Sequence, residues 1–199
     1  MVRQAHHEMA VGINELKKGV FIVIDGAPYA VLSASHSHIG RGGALVQTKI
    51  KNLMTGNILD RNFRAGDTVT EARIRKMQAQ FLYERRGDYW FCEAGFPANR
   101  FALSGNALGD KAALLRPKME IVALKYIKDE GEQIINVELP VKADYRVTHA
   151  PPGIRGNTSQ GGTKTVTLEG GLKVTVPLFI EEGDTIRINT ETREYAERV

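Results

Sequence analysis

The chain is short of most features that announce a chemistry. Cys92 is the one cysteine among 199 residues, which excludes an internal disulfide framework and fits a reducing compartment. No apolar run approaches the ~18–20 residues of a membrane span. The opening MVRQAHHEMAVG lacks the apolar stretch of a secretory signal. The expected location is cytoplasmic, with no membrane partner. No P-loop, dinucleotide fingerprint or GxSxG elbow occurs. His36 and His38 would share one face of a strand, but a metal site needs three or four ligands and no third stands nearby. Glu181, Glu182 and Asp184 read as a solvated turn. Cys92 follows the aromatic run Tyr89-Trp90-Phe91 and reads as a buried strand residue rather than a nucleophile. No metal, cofactor or bond-making activity is expected.

What the chain does have is period-two alternation broken by turns, the mark of an all-β protein. Val20 to Ile24 and Tyr29 to Leu32 flank Asp25-Gly26, a hairpin signal. Val46, Thr48 and Ile50 alternate with Gln47, Lys49 and Lys51, and Ile58 to Phe63 returns after Thr55-Gly56-Asn57. These hairpins predict a small barrel closing near residue 70. A second unit holds Phe81 to Tyr83, Tyr89 to Cys92, a short helix over 110–115, and a hairpin from Met119 to Val137. Its aromatics Phe81, Tyr83, Tyr89 and Phe91 read as core, with a base-stacking platform as the other reading. A third unit holds Asp144 to Thr148, a long loop, then Val166 and Leu168 facing Leu172, Val174 and Val176 across Glu169-Gly170-Gly171. Ile186 and Ile188 point inward there, with Arg187 outward. GEQIINV at 131–137 echoes GDTIRIN at 183–189, a hint of duplicated barrels. The expected domains are 1–72, 73–137 and 138–199.

The net charge is +4, distributed as +2 over 1–72, +3 over 73–136 and −1 over 137–199. A basic balance of this size is compatible with a nucleic-acid partner without requiring one. One loop stands out. In HIGRGGA, Ile39, Gly40, Gly42 and Gly43 surround Arg41 between two strands. Glycine permits a sharp turn and close approach, and the arginine offers five fixed donors for phosphates or base edges. A plain hairpin loop with a solvated arginine fits those residues equally well.

KTVTLEGGLKVTVPLFIEEG, Lys164 to Gly183, resembles the C-terminal signature of the bacterial elongation factor P family. Its fixed positions fall on Lys164, Val166, Gly171, Val174, Val176-Pro177, Ile180 and Gly183. INELKKGVFIVIDGAPYAVL, the Arg41 loop and KIKNLMTG are similar to the family's first domain, so the likeness spans roughly residues 13–199. The resemblance implies an SH3-like (KOW-type) barrel followed by two OB-type barrels, L-shaped like a transfer RNA. It implies a monomeric factor bound to the 70S ribosome between the peptidyl and exit sites, touching ribosomal RNA, peptidyl-tRNA, messenger RNA and the L1 stalk. Such a factor relieves stalling at consecutive prolines by positioning the acceptor end of the peptidyl-tRNA. The family's tip residue, usually a modified lysine, falls on Arg41, with Ile39 in place of proline and His38 in place of another lysine. Some members carry arginine there, glycosylated with rhamnose, so Arg41 is expected to act bare or after a modifying enzyme. The loop that approaches messenger RNA falls on Gly156, Asn157 and Thr158, where asparagine replaces the family's aspartate. Lys49, Lys51, Arg73, Arg75 and Lys76 are expected to meet RNA phosphates. Two alternatives remain: the elongation-factor-P-like paralogue, which also has a tip arginine, and a general single-strand RNA-binding OB-fold protein. An enzyme using Cys92 is third.

Overall fold

Turn chemistry sets the first strand boundaries. In the computed structural model, which describes residues 10–39, 43–152 and 162–199, Asp25 and Gly26 both take positive φ, 50° and 76°. That two-residue turn matches the right-handed twist of its flanking strands. It joins β2 (Phe21–Ile24) to β3 (Ala27–Ile39). With β1 (Ala10–Gly12), β4 (Gly43–Asn52), β5 (Ile58–Arg64) and β6 (Thr68–Glu71) they form a six-stranded antiparallel sheet, ordered β1-β6-β2-β3-β4-β5. Val46, Thr48 and Ile50 are buried as the alternation predicts. Thr48 is tolerated inside because its Oγ1 donates to the Arg61 carbonyl at 2.8 Å.

The second sheet contains β7 (Ile74–Arg85), β8 (Asp88–Glu93), β9 (Phe96–Ser104), β10 (Glu120–Lys128) and β11 (Gly131–Glu138). The third contains β12 (Lys142–His149), β13 (Thr163–Leu168), β14 (Lys173–Pro177), β15 (Thr185–Asn189) and β16 (Tyr195–Arg198). Their orders, β11-β10-β7-β8-β9 and β14-β13-β12-β15-β16, are the same: third, second, first, fourth, fifth. In both sheets the third and fifth strands approach at the closing edge. Five strands arranged so make the partly open barrel of OB-folds. The protein is thus all-β, with three sheets among the described residues. The sequence echo does not register this duplication. GEQIINV forms β11, the fifth strand of its sheet, whereas GDTIRIN enters β15, the fourth.

The expected helix at 110–115 begins earlier. Ser104 Oγ accepts from the Ala107 amide at 3.3 Å and caps α1 (Gly105–Leu108), which continues as a 3-10 segment over Gly109–Leu114.

Apolar runs without clear alternation mark strands covered on both faces. Ile22 faces the core of the first sheet with Leu16, Val31, Val46 and Phe63. Its neighbours Phe21 and Val23 pack the other way, against Leu124, Tyr126 and Ile135 of the second sheet. The second and third sheets share one continuous core, running from Phe81 and Phe91 through Leu114 and Tyr145 to Ile186 and Ile188. Tyr145 is 1% exposed and its hydroxyl donates to the Leu114 carbonyl at 2.6 Å. Burial pushes that phenol up to about 12. On the outer face of the third sheet, Arg187 bridges its two neighbouring strands. It donates to both Asp144 oxygens, at 2.6 and 3.0 Å, and to Glu197 at 2.9 Å. The Arg187 hydrogen bonds hold the Asp144 carboxyl below its ordinary range.

Candidate functional site

The β3–β4 hairpin is the longest among the described residues. Its ladder runs from Tyr29↔Asn52 to Ile39↔Gly43, about 33 Å at the usual strand rise. The last pair that β4 makes with β5 is Leu45↔Arg64. The hairpin therefore extends two pairs further, roughly 7 Å. Gly40, Arg41 and Gly42 lie outside the described residues, and Ile39 and Gly43 are the last paired positions. Gly156, Asn157 and Thr158 also lie outside. At the base of that segment, Lys164 Nζ donates to the Pro151 carbonyl at 3.0 Å. Opposite it, a Cβ on Gly162 would stand 2.9 Å from Leu178 Cδ1. The signature lysine and the glycine thus hold the two ends of the segment close to β14.

The five basic residues do not form one patch. Lys49 is exposed on the outer face of β4. Lys51, two residues on, lines a cleft of roughly 680 Å³ to which all three sheets or their flanks contribute, including Leu53, Lys111, Glu138, Val141 and Arg193. Lys76 pairs at 2.7 Å with Glu138, which lines the same cleft. Arg75, on the alternate face of β7, pairs with Glu132 at 2.6 Å. Arg73 is exposed in the connection between the first two sheets. Cys92 is buried, as a strand residue. Among the described residues no cluster of His, Cys, Asp and Glu could hold a metal ion, and no helix is long and apolar enough to cross a membrane.

The polar centre of the junction escapes a reading of the sequence. In the β10–β11 ladder the register shifts at Leu124/Lys125, leaving Ile135 as an extra residue. Ile135 and Asn136 then both face the first sheet. Asn136 Nδ2 donates to the carbonyls of Leu53 (2.9 Å) and Ala107 (3.2 Å). Its Oδ1 accepts from Lys111 Nζ (2.9 Å) and from the Val137 amide (2.7 Å). Lys111 Nζ also donates to the Val137 carbonyl. The only signal in the sequence is one amide within the apolar run Ile134-Ile135-Asn136-Val137.

Burial first, then repulsion from Lys51, brings the Lys111 amine down to about 8, against the pull of Glu138. The charged form is therefore penalised in the fold. Below about pH 8 that cost is fully present; between about pH 8 and 10 the unfolded chain holds more protons, so stability rises with pH. Tyr145 opposes this only above pH 10, where the unfolded phenol ionises first. Urea unfolding at pH 7.5 and pH 10 is expected to show a rise of about 2 kcal/mol that Lys111→Met removes. Equal pH slopes in the two proteins would refute the assignment.

The family model described as the elongation factor P (EF-P) KOW-like domain matches residues 12–69, and that described as elongation factor P, C-terminal matches residues 144–198. Together with the barrels they fall on, these matches define a translation elongation factor. Proteins named elongation factor P match along almost the whole chain. That of Thermotoga petrophila is 41% identical over 94% of this chain and 99% of its own length. That of Helicobacter hepaticus is 37% identical over 96% of this chain and 100% of its own. The chain belongs to the elongation factor P family. Among solved structures, eukaryotic translation initiation factor 5A from Methanococcus jannaschii aligns with a TM-score of 0.46 and 18% identity, covering 65% of this chain and 95% of that one.

Proposed function

We propose that this elongation factor binds the ribosome between the peptidyl and exit sites and stimulates peptide-bond formation at consecutive prolines. Arg41 steadies the acceptor end of the peptidyl-tRNA, either bare or carrying a sugar added by a modifying enzyme. The observation that carries the reading is the β3–β4 ladder, paired as far as Ile39↔Gly43. A paired ribbon that outreaches its neighbouring strand presents its closing residues to a distant centre, and Arg41 is the one charged residue among them. The factor forms no bond itself. Proline's ring restricts the reacting chain, and alignment of the reactants lowers an entropic barrier at the ribosome's own centre.

The domain division 1–72, 73–137 and 138–199 belongs to this proposal. Three separate sheets support it, although β11 extends to Glu138, one residue past the second limit. Gly156, Asn157 and Thr158 are assigned to messenger RNA in the exit site. Lys49 and Lys51 meet RNA phosphates directly and Arg73 joins them, while Arg75 and Lys76 exchange Glu132 and Glu138 for phosphate. The factor works as a cytoplasmic monomer. In reconstituted translation of a message encoding consecutive prolines, the added protein is expected to release the stalled product, with no effect on a proline-free control. Ribosome binding should weaken steeply with salt. Absence of release at saturating protein would refute the reading, and tight binding to free RNA without any release would favour the general RNA-binding alternative.

A further inference from the structure

Trp90, the single tryptophan of the chain, lies on a face that the proposed ribosomal role leaves unused. The β7–β8 ladder slips between Phe81 and Tyr83. Phe81 and Phe91 stay in the core, 4% and 0% exposed, while Tyr83 is turned outward and is 41% exposed. Tyr83 and Trp90 stack there, with ring centroids 6.3 Å apart and planes at 23°. The aromatic run therefore divides into a core set and an outer pair. On its other side the half-buried Trp90 pairs with Ala102 of β9, a small, exposed residue. Arg100 lies two residues from Ala102 on the same face, about 7 Å along the strand. Arg85 and Arg86 stand at the turn that ends β7.

Among the described residues none of these three arginines forms an ion pair, whereas Arg75, Arg116, Arg187, Arg193 and Arg198 all do. The carboxylates nearby bond elsewhere. Glu84 accepts from the Gly87 amide at 2.7 Å and Glu93 from Asn99 at 2.9 Å; Asp88 faces Arg85 in the ladder without an ion pair. In the strand order of this barrel, β8 and β9 are the second and third strands, the face on which OB-folds take oligonucleotides. Arg100 Nε donates to the Pro97 carbonyl at 3.2 Å, a neutral acceptor that leaves its charge in place. An exposed tyrosine stacked on a half-buried indole, with guanidinium groups free of ion pairs beside them, suits a planar, anionic ligand.

We infer that the outer face of the second sheet binds unpaired RNA, stacking a base on Trp90 and Tyr83 while Arg85, Arg86 and Arg100 hold the flanking phosphates. This goes beyond the ribosomal role, and its readout needs no ribosome, so either can fail alone. Because Trp90 is unique, its fluorescence reports this face directly. Titrating the full chain with a ten-nucleotide oligouridylate is expected to quench it saturably, and duplex RNA of equal length should not. Tyr83→Ala should weaken the oligomer about tenfold, the scale of one stacked base. The double substitution Arg85→Gln, Arg86→Gln should flatten the slope of log affinity against log salt by about 1.4, at about 0.7 per phosphate. Arg41→Ala should quench like the parent protein. No quenching, quenching indifferent to both the tyrosine and the arginine substitutions, or quenching lost with Arg41→Ala would each overturn the inference.

Discussion

Arg41→Ala is expected to leave the unfolding midpoint within about 2 °C of the parent, as for surface substitutions generally, while abolishing release of polyproline-stalled product. The ladder from Tyr29↔Asn52 to Ile39↔Gly43 is assembled without residue 41. The core beneath, from Val11 to Val69, is a packed cluster drawn from β1 to β6 and the segment that joins β1 to β2. Stability should therefore be indifferent to the substitution. Function should not be, because under the proposal this side chain is the charged contact at the reacting end. Arg41→Lys separates two causes: it keeps the charge but loses the planar fork of donors. Partial release by the lysine variant would mean that charge suffices; none would mean that the fork, or a group attached to it, is needed. Intact mass and peptide mapping across residues 33–49 of the native protein then tells a bare guanidinium from a glycosylated one. Full release by the alanine variant would remove Arg41 from the mechanism.

Asn136→Leu should cost about 3–4 kcal/mol. The leucine has the same branched skeleton with bulkier ends, so no cavity opens. The loss comes from hydrogen bonding. The Leu53 and Ala107 carbonyls and the Val137 amide lose partners in a buried junction, at about 1–3 kcal/mol for each group left unsatisfied. Lys111 loses one of its two acceptors. A change of that size is a large part of an ordinary domain's stability. The Leu53 contact is the hydrogen bond that joins this centre to the first sheet, so the effect should also be directional. Amides of the first sheet should exchange sooner than those of the second and third, and proteolysis near Ala72 should accelerate. A loss under about 1 kcal/mol, or uniform exchange, would show that the apolar contacts of Leu53, Leu124 and Ile135 hold the junction alone.

How much of this was legible in the sequence depended on how each strand is covered. Where one face is buried and the other wet, as at Val46, Thr48 and Ile50, alternation gave the strand and its inward side. Asp25-Gly26 announced its hairpin because that turn has few other solutions. The strand Phe96–Ser104 carried no such mark: Leu103 is its one buried residue, and Pro97 interrupts its start. The outward turn of Tyr83 comes from a one-residue slip in the ladder, which strict alternation cannot express. Arg41 by itself was one arginine between glycines, and the signature at Lys164 to Gly183 gave it a role. Lys111 and Asn136 gave no advance notice because their meaning lies in a meeting of three segments distant along the chain.

The continuous core of the second and third sheets has a mechanical consequence. Two barrels welded through Tyr145 and Leu114 bend little against each other, whereas the first sheet is attached through a smaller apolar patch and the Asn136 bond. Compliance is thus concentrated in one joint near Ala72. A molecule accommodating itself to a crowded partner would swing the long hairpin as a lever about that joint, and the reach of its end would be set by angle rather than by stretching.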